Sequence, residues 1–256
     1  ETTKQSYSDT FTIAWRCLLL SCRNPETFLT SILLPALMML LFVSLFGSLI
    51  RVDGTSYTAY IVPGVLIQCA AQGSSTTAIM VNQDITSGIL SRFSTLPIRQ
   101  GALLYGHVLE ACARNLVTSA VVLVIALLLG FRPALTLTGL GITFLLLSGM
   151  ILALSWLAVA VGILSKSAQG ASSLSSLAIV LPYLSSGFVP TEHLPPLLRT
   201  FARYQPMTPV IDAMRDALSG SPADAGTLGA ALLWCALLTA VFCAASVLFL
   251  KRRLLG

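Results

Sequence analysis

The sequence predicts an all-α integral membrane protein with six transmembrane helices, and three observations carry that expectation. Hydrophobic residues make up 55% of the 256 and charged residues only 10%, whereas soluble domains carry about 25% charge. The apolar residues gather in long runs, each near the roughly 20 residues that a helix needs to cross a bilayer. Two interior segments, 84–99 and 189–225, break this pattern with short amphipathic stretches. The whole chain, 1–256, then reads as one transmembrane domain with no room for a large soluble one.

The elements follow in order. Residues 5–24 place Tyr7, Phe11, Ile13, Ala14, Trp15, Leu18, Leu19 and Cys22 with a helical period and end at Asn24-Pro25. They predict an amphipathic helix at the membrane face, with Trp15 at headgroup depth. The first span is expected at 28–50; it contains Pro35, which membrane helices tolerate. That run has no plausible signal cleavage site after it, so it is expected to persist as a true span. Arg51 to Gly54 forms a turn, and the second span, 57–81, is less apolar. It carries Gln68 and Gln72 one turn apart on one face, suited to interhelical hydrogen bonding or to substrate contact.

The third span is expected at 101–130. Its first turns hold His107, Glu110 and Arg114, with Glu110 four residues before Arg114 in the favourable order for an ion pair. The three read as a clamp between this span and an amphipathic helix. After a turn at Phe131–Pro133 comes the fourth span, 137–164, where Gly139, Gly141, Gly149 and Gly162 offer small surfaces for close helix approach. The fifth span, 171–188, is rich in serine: Ser172, Ser173, Ser175, Ser176, Ser185 and Ser186. Such a helix should pack against neighbours or line a pathway, with Ser172, Ser176 and Ser185 as candidates beside Gln68 and Gln72. Residues 189–225 are broken by Pro190, Pro195, Pro196, Pro206 and Pro209 and predict two short re-entrant helices, around Leu197–Tyr204 and Pro209–Leu218. The last span, 228–250, ends in Lys251-Arg252-Arg253.

Charge and cysteine narrow the class. The net charge of +5 does not imply nucleic acid, because the basic residues sit at span ends. Six spans put both ends on one side; ten of the Lys and Arg residues then fall on that side and five on the other, which makes the first side cytoplasmic. The six cysteines show no metal-ligand spacing with histidine, so no metal site is expected. No lysine follows a glycine, so the Gly-Lys-Ser/Thr of a phosphate-binding loop is absent, and no nucleotide or other cofactor is expected on this chain.

Within 84–101, Ile85, Ile89, Phe93 and Leu96 recur at helical spacing, Asp84 is suited to cap the start, and Pro97 to stop it. Asp84, Gly88, Arg92, Phe93, Leu96 and Pro97 stand as D-x-x-x-G-x-x-x-R-F-x-x-L-P. This resembles the cytoplasmic signature of ABC-2 type permeases, in particular the daunorubicin-resistance, DrrB-like branch, although members often carry Glu near Asp84. A second stretch is similar to that branch: Ser186, Gly187, Pro190, Leu194, Pro195, Gln205, Pro206, Ala213 and Arg215. The resemblance covers nearly the whole chain. It implies export of amphipathic drugs or lipid-like compounds by alternating access across a bacterial inner membrane, with both termini cytoplasmic. It also implies two copies of a separate ATP-binding subunit, which hold the ATP and Mg, and a second membrane subunit, identical or related. Asp84, Gly88, Arg92, Phe93, Leu96, Pro97 and Arg99 would form the coupling helix that meets the ATPase. Two other classes compete. An ATP-independent secondary carrier would show an internal repeat or a mid-span carboxylate, and a membrane-embedded enzyme would need a convergent catalytic set within the spans.

Overall fold

A computed structural model of the chain describes residues 12–19, 25–47, 51–52, 55–88, 101–134, 136–191, 195–221 and 224–255. Helices dominate: α1 (12–19), α2 (Pro25–Phe46), α3 (Tyr57–Thr86), α4 (Gly101–Leu128), α5 (Leu137–Leu164), α6 (Ala168–Val180), α7 (Pro196–Tyr204), α8 (Met207–Ser219) and α9 (Ala225–Leu255). A two-residue antiparallel ladder, β1 (Arg51–Val52) with β2 (Thr55–Ser56), closes the turn between α2 and α3. Side-chain hydroxyls start three of the helices: Ser56, Thr136 and Ser167 each accept a hydrogen bond from the backbone N–H three residues on, as N-caps do.

Four helices are long and apolar enough to cross a membrane: Leu29–Phe46, Gly101–Leu128, Leu137–Leu164 and Ala225–Arg253. Their polarity runs outward to apolar. In α2 the buried positions Ser31, Pro35 and Met39 form a narrow stripe at spacing four, while Leu33, Leu34, Leu37, Leu40, Leu41 and Leu45 lie exposed. Likewise α9 buries Ala231, Cys235, Ser246 and Leu250 and exposes Leu233, Leu237, Val241 and Leu248. Exposed leucine on one face of a long helix is the surface of a protein solvated by lipid.

The second expected span has a different character. α3 is not among the four apolar helices, yet it is the most enclosed element: Tyr60 through Ala71 are buried without a break. It packs against α2, α4, α5, α6 and α8. Its glutamines, serines and threonines would be costly in contact with lipid, and its neighbours remove that contact. It also runs beyond 81 to Thr86. Ser87 closes it by donating its backbone N–H to the carbonyl of Gln83, and Gly88 follows at φ +74°, the left-handed conformation that ends many helices and favours glycine.

Other expectations shift as well. The serine-rich helix α6 stops at Val180 after 13 residues, about 20 Å, and Leu181–Leu184 continues as a 3-10 turn around Pro182. The fifth expected span, 171–188, is thus not one continuous α-helix; Pro182 cannot supply an N–H to the ladder. The two short helices before α9 lie at Pro196–Tyr204 and Met207–Ser219, close to expectation. α7 shows Leu197 and Tyr204 to the surroundings and buries Ala202, whereas α8 buries most of its length. Of the small positions on α5, Gly162 faces the Ala78 carbonyl and Val81, Gly149 faces Cys235, and Gly139 faces the Ala217 carbonyl, while Gly141 has open space.

Close approach is most demanding where α3 crosses the turn that follows the 3-10 segment. A Cβ on Gly64 would stand 2.6 Å from the carbonyl oxygen and 2.7 Å from the Cα of Gly187. Both are backbone atoms and cannot rotate away. Gly64→Ala is therefore expected to lower stability in detergent by about 1–3 kcal/mol, read as a drop in the temperature at which monodispersity is lost. Gly141→Ala, with nothing to meet, should stay within about 0.5 kcal/mol of the parent.

Candidate functional site

Polar side chains concentrate at the two ends of α3 and along its seam with α6. At the Asp84 end, the carboxylate accepts hydrogen bonds from both Nη atoms of Arg16 on α1, at 3.1 and 3.2 Å, and from Nε2 of His107 on α4 at 3.1 Å. On its other side, Nδ1 of His107 meets Sγ of Cys17 on α1 at 3.7 Å. Asp84, His107 and Cys17 are buried, and Arg16 is partly exposed. Three elements distant in sequence therefore meet through one carboxylate. Burial opposes ionisation of Asp84, but the hydrogen bonds from His107 and Arg16 outweigh it and hold its carboxyl below the usual range. The same bond raises the Arg16 guanidinium above its ordinary value, against partial desolvation.

Helix α1 approaches closely enough for this because α4 has no side chain at Gly106. A Cβ there would fall 2.5 Å from Cγ2 of Ile13 and 3.2 Å from the backbone nitrogen of Ala14. Further links bind the same end. Asn82 donates through Nδ2 to the carbonyls of Gly162 and Ser165, at 3.0 and 2.7 Å, tying α3 to the end of α5. Arg253 on α9 donates to the carbonyl of Ile163. Residues 16 and 253 thus lie at one end of the bundle.

One turn further along α4, Glu110 and Arg114 pair at 2.8 Å as their spacing predicts. Among the described residues neither side chain bonds to α1. Arg114 instead donates to Thr77 Oγ1 at 2.8 Å and to the Gly73 carbonyl at 3.2 Å, fastening α4 to α3. The expected single clamp of His107, Glu110 and Arg114 is therefore two clusters, because His107 turns toward Asp84 and leaves the pair. Asp84 departs from expectation too: it lies in the last turns of α3 and does not cap a new helix. Arg92, Phe93, Leu96, Pro97 and Arg99 lie outside the described residues; Gly88 is the left-handed residue that ends α3.

Along the α3–α6 seam, Ser75 and Ser172 share a hydrogen bond at 3.3 Å. Gln68 is buried, and its Oε1, the Oε1 of Gln72 and the hydroxyl of Ser175 have no hydrogen-bond partner among the described residues. Buried amide oxygens without partners are uncommon and costly. Ser176 donates to the Ser172 carbonyl within its own helix. Ser185 is engaged locally, donating to the Pro182 carbonyl and accepting from the Gly187 N–H.

The opposite end of α3 explains the second motif. Arg215 on α8 lies over the Tyr60 ring at 3.9 Å and donates to the carbonyls of Tyr60 and Ser186 and to Asp212. Tyr60 and Tyr57 donate their hydroxyls to the Ser186 and Phe188 carbonyls, at 2.8 and 3.0 Å. Ser186 in turn donates to Asp212 at 2.6 Å. Asp212, missed in the sequence, is signalled by its place three residues before Arg215 on a helix.

The Asp84 cluster makes a measurable prediction. Its carboxyl titrates lower when folded than when unfolded, so its contribution is complete above the ordinary carboxylate range and is lost as pH falls through the lowered value. Amide protection of residues 12–19 should be lost as pH falls below the ordinary carboxylate range. Asp84→Asn should raise their exchange about 5–30-fold at pH 7, matching about 1–2 kcal/mol for charged hydrogen bonds that are partly screened. Unchanged exchange in that variant would mean that the cluster does not hold α1.

Comparison with known proteins supplies the family. The sequence model of the ABC-2 type transporter family matches residues 8–219. The chain is 30% identical over 236 residues to the daunorubicin resistance ABC transporter permease protein DrrB1 of Streptomyces coeruleorubidus, covering 92% of this chain and 83% of that protein. It is 29% identical over 233 residues to the probable doxorubicin resistance ABC transporter permease protein DrrC of Mycobacterium tuberculosis, covering 84% and 78%. Taken with the long lipid-facing helices, these matches place the protein: it belongs to the ABC-2 type transporter family, as a multi-pass membrane permease subunit.

Proposed function

We propose that this chain is the membrane half of an ATP-driven exporter for amphipathic drugs or lipid-like compounds, energised by a separate ATP-binding subunit. The observation that carries the mechanism is the Arg16–Asp84–His107 cluster, which joins the amphipathic α1, the end of α3 and the start of α4. A push on α1 or on the segment after Gly88 would be passed to α3 through charged hydrogen bonds and to α5 through Asn82. In this reading 84–99 contacts the ATPase, with Arg92 and Arg99 meeting acidic groups, Phe93 and Leu96 supplying its apolar face, and Pro97 fixing the turn into α4. Two ATP-binding subunits carry the ATP and Mg, and a second membrane subunit, identical or related, completes the pathway.

The same reading gives six membrane crossings. α3 and the pair formed by α6 and the 3-10 turn join the four apolar helices, with α3 shielded by its neighbours. The Asp84 end then faces the cytoplasm of a bacterial inner membrane, as the distribution of Lys and Arg favours. α7 and α8 sit at the outer surface. Gln68, Gln72, Ser172 and Ser176 border the pathway, and the unpartnered amide oxygens are available to a substrate that brings hydrogen-bond donors. Daunorubicin and doxorubicin resistance, named for the relatives, makes amphipathic aromatic drugs the first compounds to test, and favours this reading over a secondary carrier.

The test is purification in mild detergent with a co-expressed ATP-binding subunit from the same organism. A stoichiometric complex with vanadate-sensitive hydrolysis, stimulated severalfold by doxorubicin, is expected. A chain that purifies alone, with ion-driven uptake in vesicles, would overturn the proposal.

A further inference from the structure

At the end of the bundle away from Asp84, a cleft of about 320 Å³ opens between the start of α3, the turn after α4 and α8. Ser56, Tyr60, Gly130, Arg132 and Arg215 line it. A Cβ on Gly130 would meet nothing within 4 Å, so that wall leaves room for a ligand. Among the described residues two guanidiniums line the cleft and no carboxylate does. Arg215 is held in place over the Tyr60 ring at 3.9 Å. It donates from Nε, Nη1 and Nη2 to the Tyr60 carbonyl, Asp212 and the Ser186 carbonyl. Three of its five N–H groups are thus engaged, and one remains on each Nη. Arg132 makes a single long contact, 3.5 Å from Nη1 to the Leu127 carbonyl. Ser56 accepts the Ala59 N–H and keeps its own O–H to donate. The cleft is therefore rich in donors and asks for an acceptor.

We propose that this cleft binds the phosphodiester of a membrane phospholipid, held between Arg132 and Arg215. Charge selects a single negative charge. Arg215 is balanced by Asp212 at 2.6 Å, so Arg132 supplies the one cation that a monoanionic phosphodiester neutralises. Geometry suits the same group, because guanidinium N–H groups fork onto the oxygens of a phosphate. Depth selects a lipid. α4 ends at Leu128 and α5 begins at Leu137, and these leucines are 82% and 89% exposed. Exposed leucine beside an arginine-lined cleft is the boundary at which acyl chains give way to headgroups. Two chains would lie against the leucines while the phosphate enters the cleft. The sequence hides the site because Arg132 reads only as part of a turn and Arg215 lies far along the chain. This binding does not depend on the exporter reading.

The test uses the full chain, purified with or without an ATP-binding subunit, delipidated in detergent and titrated with phosphatidylglycerol. Bound lipid is followed by native mass spectrometry. Arg132→Gln should weaken the tightest binding about 5–30-fold, as for a partly screened charged hydrogen bond. Arg132 is exposed, so its replacement leaves the core intact. Lys251→Gln, which removes the same charge at the other end of the bundle, should match the parent. Diacylglycerol, with the chains but no phosphate, should bind the parent and Arg132→Gln alike. Glycerophosphoglycerol, the same headgroup without chains, should bind the parent more weakly than the lipid does. Equal affinity of phosphatidylglycerol for the parent and Arg132→Gln would overturn the proposal. So would an equal loss for diacylglycerol, because the effect would then not belong to the phosphate. Equal affinity of the parent for glycerophosphoglycerol and the lipid would overturn the lipid assignment in favour of a soluble phosphodiester.

Discussion

The polar helix α3 is enclosed on nearly every side, and the rest of this structure follows from that enclosure. Its glutamines, serines and threonines cannot face hydrocarbon without leaving hydrogen-bonding groups unsatisfied. Five helices surround it, so the cost of its polarity falls on packing, which requires small residues at the contacts. The apolar helices α2 and α9 are free to show leucine outward because α3 and α5 take the inner positions.

Enclosure turns α3 into a rod with a charged fastening at each end. At one end Arg215, Asp212 and Ser186 hold it to α8 and the turn after the 3-10 segment. At the other, Asp84 gathers α1 and α4, while Arg114 adds a second bond to α4 one level deeper. Breaking a buried pair by removing one partner is far costlier than never having built it, so these fastenings tie α3 to its neighbours at both ends. Between them lies the α3–α6 seam, where the amide oxygens of Gln68 and Gln72 have no hydrogen-bond partner among the described residues.

Much of this was legible in the sequence, for identifiable reasons. Four long helices and the two short ones before α9 follow from run length and from proline placement, which act locally. The Glu110–Arg114 pair follows from helical spacing. The partners of His107 and Asp84 do not, since contacts across 23 and 68 residues depend on how helices pack. Asp84 misled because a carboxylate near a turn suits the start of one helix as well as the end of another, and Gly88 decided the matter through its positive φ. The break after Val180 was signalled by Pro182, but hydropathy ran on to Phe188 and masked it. The motif that carries the family resemblance proved to bind the Asp84 end together, in its first residue at least.

The Arg16–Asp84 contact is proposed to transmit force between α1 and α3. A charge exchange tests it most directly: doxorubicin efflux and ATP hydrolysis would be measured for Arg16→Asp, Asp84→Arg and the double exchange in the assembled complex. Each single variant should hydrolyse ATP but lose efflux, and the double exchange should recover a substantial part of it. Full efflux in both single variants would show that the contact is dispensable to transport.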